Sequence, residues 1–311
     1  MIRTAFTLLL LISFSSLSQA KNILPAPQKI AAHSYAWIGP LPGPSAENNG
    51  YRMNLGFIVG TKGIVVIDTG YTEAMANEML MHIRKISKAP IVAAINTNSQ
   101  PHRFFGNNVF KKAGAKIIST AEEKQRMSAN LNQYQESIER ILKLKKGSIK
   151  KPVLPDTLIT TPTEFKLGDV SVMVQSPGAS HTPASLFAHV IEDNIIFTGD
   201  IVYGERLLSV LPDSNIKQWI VSFQKLAAYK NATIVPGHGK AGPLKNFEFS
   251  TLSYLQLLHK HMTQSLNDDL EAQEAINTLN QTAYKKLVNY DILSGRNASW
   301  AFLEAEKAAF E

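Results

Sequence analysis

Short runs of apolar residues, some alternating and some continuous, are interleaved along this chain with longer apolar stripes at helical spacing, as expected where strands and helices take turns. YRMNLGFIVG and GIVVID, within residues 51–67, predict two strands. Met75, Met79, Ile83 and Ile86 then mark the buried face of a helix that Pro90 ends, leaving His82 off the stripe and in solvent. IVAAI at 91–95 and KIIST at 116–120 read as further strands. Thr120 and Glu123 have the spacing of a capping box, after which Met127, Leu131, Tyr134, Ile138 and Ile141 recur at helical spacing to near Lys143. A proline-containing connector spans 150–163. Beyond it, FKL with VSVMVQ, joined at Gly168 and Asp169, and SLFAHVI with IIFTGD, joined at Asp193 and Asn194, predict tight hairpins. A helix near 215–229 leads to the strand ATIV, and the rest of the chain is helical, with Tyr254, Leu255, Leu258 and Met262 on one face and His259 and His261 turned away from the strand-borne part. The predicted fold class is α/β, with two half-similar strand-and-helix units and a helical C-terminal extension.

Composition narrows the chemistry. The chain has 311 residues and is 44% apolar, with no cysteine. Disulfide scaffolds, thiolate zinc sites, iron-sulfur clusters and cysteine nucleophiles are thereby excluded, so any transition metal must be held by His, carboxylate or amide. MIRTAFTLLLLISFSSLSQA has an early Arg3, an apolar run and small residues at Ser18 and Ala20, the order of a secretory signal peptide. The expected organisation is a signal peptide over 1–20, a main domain over 21–243 and helices over 244–311 packed on that domain, in a soluble periplasmic protein with no membrane span after cleavage. The formal charge of +7 is modest, and its densest run, KLKKGSIKK at 143–151, has no aromatic residue to stack on a base. It reads as a solvated helix end, and no nucleic-acid partner is expected.

The polar residues of interest follow buried strands: Asp68 after GIVVI, His181 beyond VSVMVQ, Asp200 after NIIFTG and His238 after ATIVPG. In open α/β sheets such strand ends are where sites are built. Ser180 and Ser185 lie near His181 but outside a nucleophile elbow, and read as turn or cap residues.

VVIDTG at 65–70, NTNSQPHRFFGN at 96–107, GASHTPASL at 178–186, FTGD at 197–200 and VPGHG at 235–239 resemble, in order and spacing, the metallo-β-lactamase-fold hydrolases over residues 33–240. SAENNGYRMNLGFIVG, YLQLLHKH and RNASWAFLEAEKA are similar to an exported subgroup associated with quinoprotein and sulfur-oxidation systems. The resemblance implies a four-layer αββα sandwich with its site along one edge of the two sheets. It also implies a T-H-x-H-x-D-H motif feeding two zinc ions, which here reads Thr97, Asn98, Ser99, Gln100, Pro101, His102, Arg103. Asn98 and Gln100 thus stand at the first two His positions, His102 at the Asp and Arg103 at the last His, whereas His181, Asp200 and His238 are kept. Amides are poor zinc ligands, so at most one ion is expected, held among His102, His181, Asp200 and His238, with Asp200 the pivotal ligand.

The resemblance leaves two readings. In one, the protein is a mononuclear zinc hydrolase of an ester, thioester, lactone or amide, with His102 or Asp200 orienting the water and Asp68 bracing the motif loop. In the other, Arg103 pairs with Asp200 in place of a metal, and the cleft binds a small anionic ligand or a protein partner without catalysis. Tyr203 and Arg206 follow Asp200 closely enough to face a substrate in that cleft.

Overall fold

The computed structural model describes residues 22–310, and the signal-like segment lies outside the described residues. Its first sheet has seven strands in sequence order: β1 (Gln28–Lys29), β2 (Ser34–Trp37), β3 (Leu55–Val59), β4 (Ile64–Ile67), β5 (Ile91–Ile95), β6 (Lys116–Ser119) and β7 (Thr157–Leu158). β1 to β4 are antiparallel neighbours, whereas β4 to β7 run parallel. Parallel neighbours need crossovers, supplied by α1 (Glu73–Ile86), then the short α2 (Pro101–Phe104) and α3 (Asn107–Lys112), then α4 (Ala121–Ile141). The second sheet has six strands in sequence order: β8 (Thr163–Lys166), β9 (Ser171–Gln175), β10 (Phe187–Val190), β11 (Ile195–Tyr203), β12 (Thr233–His238) and β13 (Gly242–Pro243). β8 to β11 are antiparallel, and α5 (Ile216–Lys225) carries the chain from β11 to its parallel neighbour β12.

Alternation along the strands produces the layers. On β4, Ile64 and Val66 pack with Met75, Met79 and Ile83 of α1, while Val65 and Ile67 face Val172, Val174 and Phe197 of the other sheet. The outer face of the second sheet puts Phe187, Ile196 and Ile234 against Phe223 of α5. Strands covered on both faces read as continuous apolar runs, and all nine residues of β11 are buried. The result is the four-layer αββα sandwich. After it come α6 (Tyr254–Asn267), α7 (Ala272–Thr278) and α8 (Tyr290–Phe310), whose Leu258, Met262, Ala298 and Phe302 form a further core with Trp219 of α5. No helix among the described residues is long and apolar enough to cross a membrane.

Two sequence expectations fail on α1. Ile86 is exposed because the helix stops there and Ser87 turns to extended backbone, whereas His82 is buried edge-on to Trp37 of β2, 6.1 Å between ring centroids. Both hairpin expectations hold, as do the α4 stripe and its Thr120 cap. The chemistry collects where β4, β5, β11 and β12 run side by side in their two sheets. Here β11 does not end before Asp200 but continues to Tyr203 through register shifts against β12. Such irregularities re-aim a side chain.

Candidate functional site

Asp68 immediately follows β4 in a left-handed backbone conformation, φ 59°, uncommon for any residue but glycine. What holds it there is the β5 end: the Asp68 N–H donates to the Ile95 carbonyl at 2.8 Å, and its carboxylate accepts from the Thr97 N–H at 2.8 Å and the Thr97 hydroxyl at 2.9 Å. These bonds tie the end of β4 to the start of the motif loop. Asn98 then makes a local turn, accepting from the Gln100 N–H at 2.8 Å, and Pro101 opens α2, whose single turn carries His102 and Arg103.

Arg103 is fully buried, yet every one of its five N–H donors has an acceptor. Nη1 donates to Asp68 Oδ2 and to the Asn54 carbonyl, both at 2.9 Å. Nη2 donates to Asp200 Oδ1 at 2.6 Å and the Gly237 carbonyl at 3.2 Å, and Nε donates to Asp200 Oδ2 at 3.1 Å. Arg103 thus cross-links the β4, β11 and β12 ends. Gly237 leaves the room, since a Cβ there would lie 2.4 Å from Asp200 Oδ1 and 2.7 Å from Arg103 Nη2. Burial works against the Arg103 charge, but the two carboxylates outweigh it and raise its pKa. For Asp200 burial is likewise outweighed, by Arg103 first, and its pKa falls well below the ordinary value. Asp68 is different: burial dominates the Arg103 attraction and pushes it up to about 6.

On the other side of Asp200 stand two imidazoles. His238 Nε2 lies 3.2 Å from Asp200 Oδ1, and His102 Nε2 lies 3.4 Å from Oδ2. His238 Nδ1 is 2.8 Å from the Arg52 carbonyl, which can only accept, so Nδ1 carries the proton. Burial and then Arg206 hold His238 down to about 3, so the ring is neutral and its Nε2 lone pair faces a carboxylate. His102 is neutral too, its pKa pushed well below the usual range by burial and then by Arg103. Neither Nε2 has a hydrogen-bond partner. The His238 lone pair and an anionic oxygen crowded in a buried space repel unless a cation lies between them, and His102 Nε2 is free to turn its own lone pair to the same cation. Their donor atoms lie within 4.8 Å of one another, and two imidazoles with one carboxylate make a three-ligand catalytic set for zinc. The residues present fit one such ion. They do not fit two: Asn98 donates its amide to Asp200 Oδ2 at 2.9 Å, and Gln100 lines the cleft rim.

His181 stands outside this group. Its buried ring packs on Trp219 and Tyr203, centroids 5.4 and 5.9 Å away, and burial holds its pKa down to about 4. Tyr203 stacks on His238 at 5.1 Å and is not among the residues lining the cleft, so it buttresses a ligand candidate instead of facing a substrate. Arg206 does line the cleft, with Arg52 and His102.

Three contributors have no clear sequence signal. Glu123, read as a capping-box partner, is wholly buried and accepts from the Ser99 N–H at 2.8 Å and the Ala184 N–H at 2.9 Å, clamping the motif loop to the His181 loop. Asn54 donates to the Pro236 and Gly239 carbonyls at 2.8 and 2.7 Å and so fixes the His238 turn. Arg52 supplies the carbonyl that sets the His238 tautomer.

Comparison with known proteins agrees with this architecture. Residues 52–238, more than half of the chain, match the family model of the metallo-beta-lactamase superfamily. The chain is similar to a metallo-beta-lactamase type 2 of Bacillus sp. (strain 170), 26% identical over 223 residues that cover 70% of this chain and 77% of the relative. It is also similar to the acyl-coenzyme A thioesterase MBLAC2 of Gallus gallus, 35% identical over 92 residues that cover 28% of this chain and 32% of that protein. Among solved structures, a metallo-beta-lactamase from Pontibacter korlensis superposes with a TM-score of 0.60 at 21% identity, covering 74% of this chain and 98% of the other, a likeness of fold. The chain belongs to the metallo-beta-lactamase superfamily.

Proposed function

We propose that this protein is an exported single-metal hydrolase of a carbonyl substrate, with an ester or thioester favoured over an amide or lactone. The observation that carries the reading is the pair of unpartnered Nε2 atoms of His102 and His238 turned onto Asp200. These three residues would hold the ion, and zinc is the best match to their donor types. Bound zinc supplies a Lewis acid that brings a water pKa to roughly 7. The protein's own part is preorganisation. Arg103 and Asp68 fix the Asp200 carboxylate, and the Arg52 carbonyl holds the His238 tautomer. The thioester preference rests on the similarity to the acyl-coenzyme A thioesterase. Export, and kinship with the quinoprotein and sulfur-oxidation subgroup, rest on the N-terminal pattern and the flanking motifs quoted above. Intact mass of the protein from a periplasmic fraction tests export: a chain beginning near Lys21 is expected, and a cytoplasmic form retaining Met1 contradicts it.

The activity test is hydrolysis of short-chain p-nitrophenyl esters and acyl thioesters by zinc-loaded protein, chelator-treated protein and His238→Gln. Turnover confined to the loaded wild type is expected; equal turnover after chelation overturns the proposal. The buried Arg103–Asp200 pair favours a second reading, in which the guanidinium alone neutralises Asp200 and the cleft binds an anion without catalysis. Under it the protein binds no zinc and hydrolyses none of these substrates.

A further inference from the structure

The three arginines around the site are satisfied very unequally. Arg103 uses all five donors, but Arg52 and Arg206, which line the adjoining cleft, make no ion pair among the described residues. Arg206 is only 3% exposed, and its Nε has no partner. Its Nη1 comes within 3.4 Å of His238 Nδ1, but that nitrogen already donates to the Arg52 carbonyl and so cannot accept. The Arg52 Nε is likewise buried without a partner. Arg206 is held in place from both sides: the Leu207 N–H donates to the Val288 carbonyl at 3.0 Å and the Val288 N–H to the Glu205 carbonyl at 3.2 Å. Two unpaired guanidiniums on one cavity, Arg206 almost wholly buried and Arg52 half-buried, cost stability unless an anion joins them. Burial, and then the Arg52 charge, bring Arg206 down to about 10. Both side chains border one cavity of about 390 Å³ together with His102, Tyr71 and Arg296.

We propose that Arg52 and Arg206 form a subsite for a doubly charged oxyanion, the phosphate type, beside His102. A dianion compensates both unpaired charges, and its oxygens suit two guanidinium forks; a carboxylate leaves one charge unmatched. The cavity is larger than one phosphate, so the group is assigned to a phosphorylated substrate whose body lies along the cleft. The neighbouring chamber continues the same wall through Gln100, Ser137 and Arg296 and adds Arg140 and Lys146 against Glu136 and Glu139, so Arg296 at the junction carries the excess positive charge. The identification as a substrate group rests on the hydrolase reading. The subsite itself stands without it, because neither arginine is a proposed metal ligand.

The test is isothermal titration of chelator-treated full-length protein with inorganic phosphate, phenyl phosphate and acetate. Both phosphates are expected to bind at least about tenfold more tightly than acetate, with Arg52→Gln and Arg206→Gln each weakening phosphate by about tenfold or more. Arg206→Lys, which keeps the charge but not the fork, should lie between wild type and Arg206→Gln and covers the chance that the glutamine variant does not fold. No phosphate binding, acetate binding equal to phosphate, or affinity indifferent to Arg52→Gln would overturn the subsite. Phenyl phosphate binding as well as or better than inorganic phosphate supports an attached phosphoryl group. Tenfold weaker binding of phenyl phosphate overturns the substrate assignment and leaves the free ion. Since no metal is present in this assay, its failure is distinct from failure of the hydrolase reading.

Discussion

The two sides of Asp200 solve the same electrostatic problem differently. Toward Asp68, a buried carboxylate meets a guanidinium whose donors are all used, and nothing there asks for a further ligand. Toward His102 and His238, the same carboxylate meets two neutral rings whose Nε2 atoms have no hydrogen-bond partner. The first side is a finished structural joint, and the second is a group of donor atoms with the spacing to hold a metal ion. Asn98 belongs to the finished side: it donates to Asp200 and accepts within its own loop, so its amide is fully used where the resemblance leads one to expect an imidazole.

If that division is right, the largest effect should come from the joint. Arg103→Met leaves Asp68 and Asp200 buried without their cation and should cost about 3 to 5 kcal/mol, read from urea unfolding. Arg103→Lys should recover little, because one ammonium cannot reproduce five directed donors. A loss below about 1 kcal/mol would remove the joint from the account.

Next comes acid sensitivity at His181. Its folded pKa of about 4 lies below the unfolded value, so between about 6.5 and 4 the unfolded chain binds the proton and the native chain does not. Stability should therefore fall as pH drops through that window, by up to about 3 kcal/mol from this residue, and then level off with respect to it. Urea midpoints at pH 7.5 and pH 4.5 should differ less in His181→Gln than in wild type; an unchanged difference would show that the ring does not titrate as argued.

A smaller effect is expected at Glu123. Glu123→Gln keeps one acceptor for the Ser99 and Ala184 N–H groups but loses the charge assistance, and should destabilise by about 1 to 3 kcal/mol. The clamp links the two loops, so hydrogen exchange at Ser99 and Ala184 should quicken together; exchange rising at one alone would show that they are independent. At the bottom of the scale is a predicted null effect. By the resemblance, Asn98 and Gln100 stand at two His positions of the first of two metals, so purified, zinc-supplemented protein should show negligible turnover of a carbapenem or cephalosporin. Efficient turnover would make the amide side of the site catalytic after all.

The strands, both hairpins and α4 were legible because burial on one face or two leaves a period that survives in the sequence. Asp68, His181, Asp200 and His238 were legible as polar residues just past such runs, although His181 falls outside the group that His102, Asp200 and His238 form, and His102 was legible only through the family resemblance. Their neighbours were not, for reasons of reach. Glu123 has the spacing of a local cap, and only the folded chain reveals that its carboxylate spans to residues 99 and 184. Arg206 could be placed in the cleft by its nearness to Asp200, but an arginine carries no mark of whether it will find a carboxylate, so that it stays unpaired, and that Arg52 joins it, emerges only when β11 and the turn before β3 are brought together. His82 was misplaced because its stripe was read from one helix alone, while the ring that covers it, Trp37, belongs to β2.

The central claim is that the His102 and His238 side of Asp200 holds one ion. Elemental analysis of protein purified without chelators and then dialysed against limiting zinc tests it most directly, with Asp200→Ala run in parallel. The account predicts close to one zinc per chain in the wild type and none retained in the variant. Two tightly held ions, none at all, or zinc binding untouched by Asp200→Ala would contradict it.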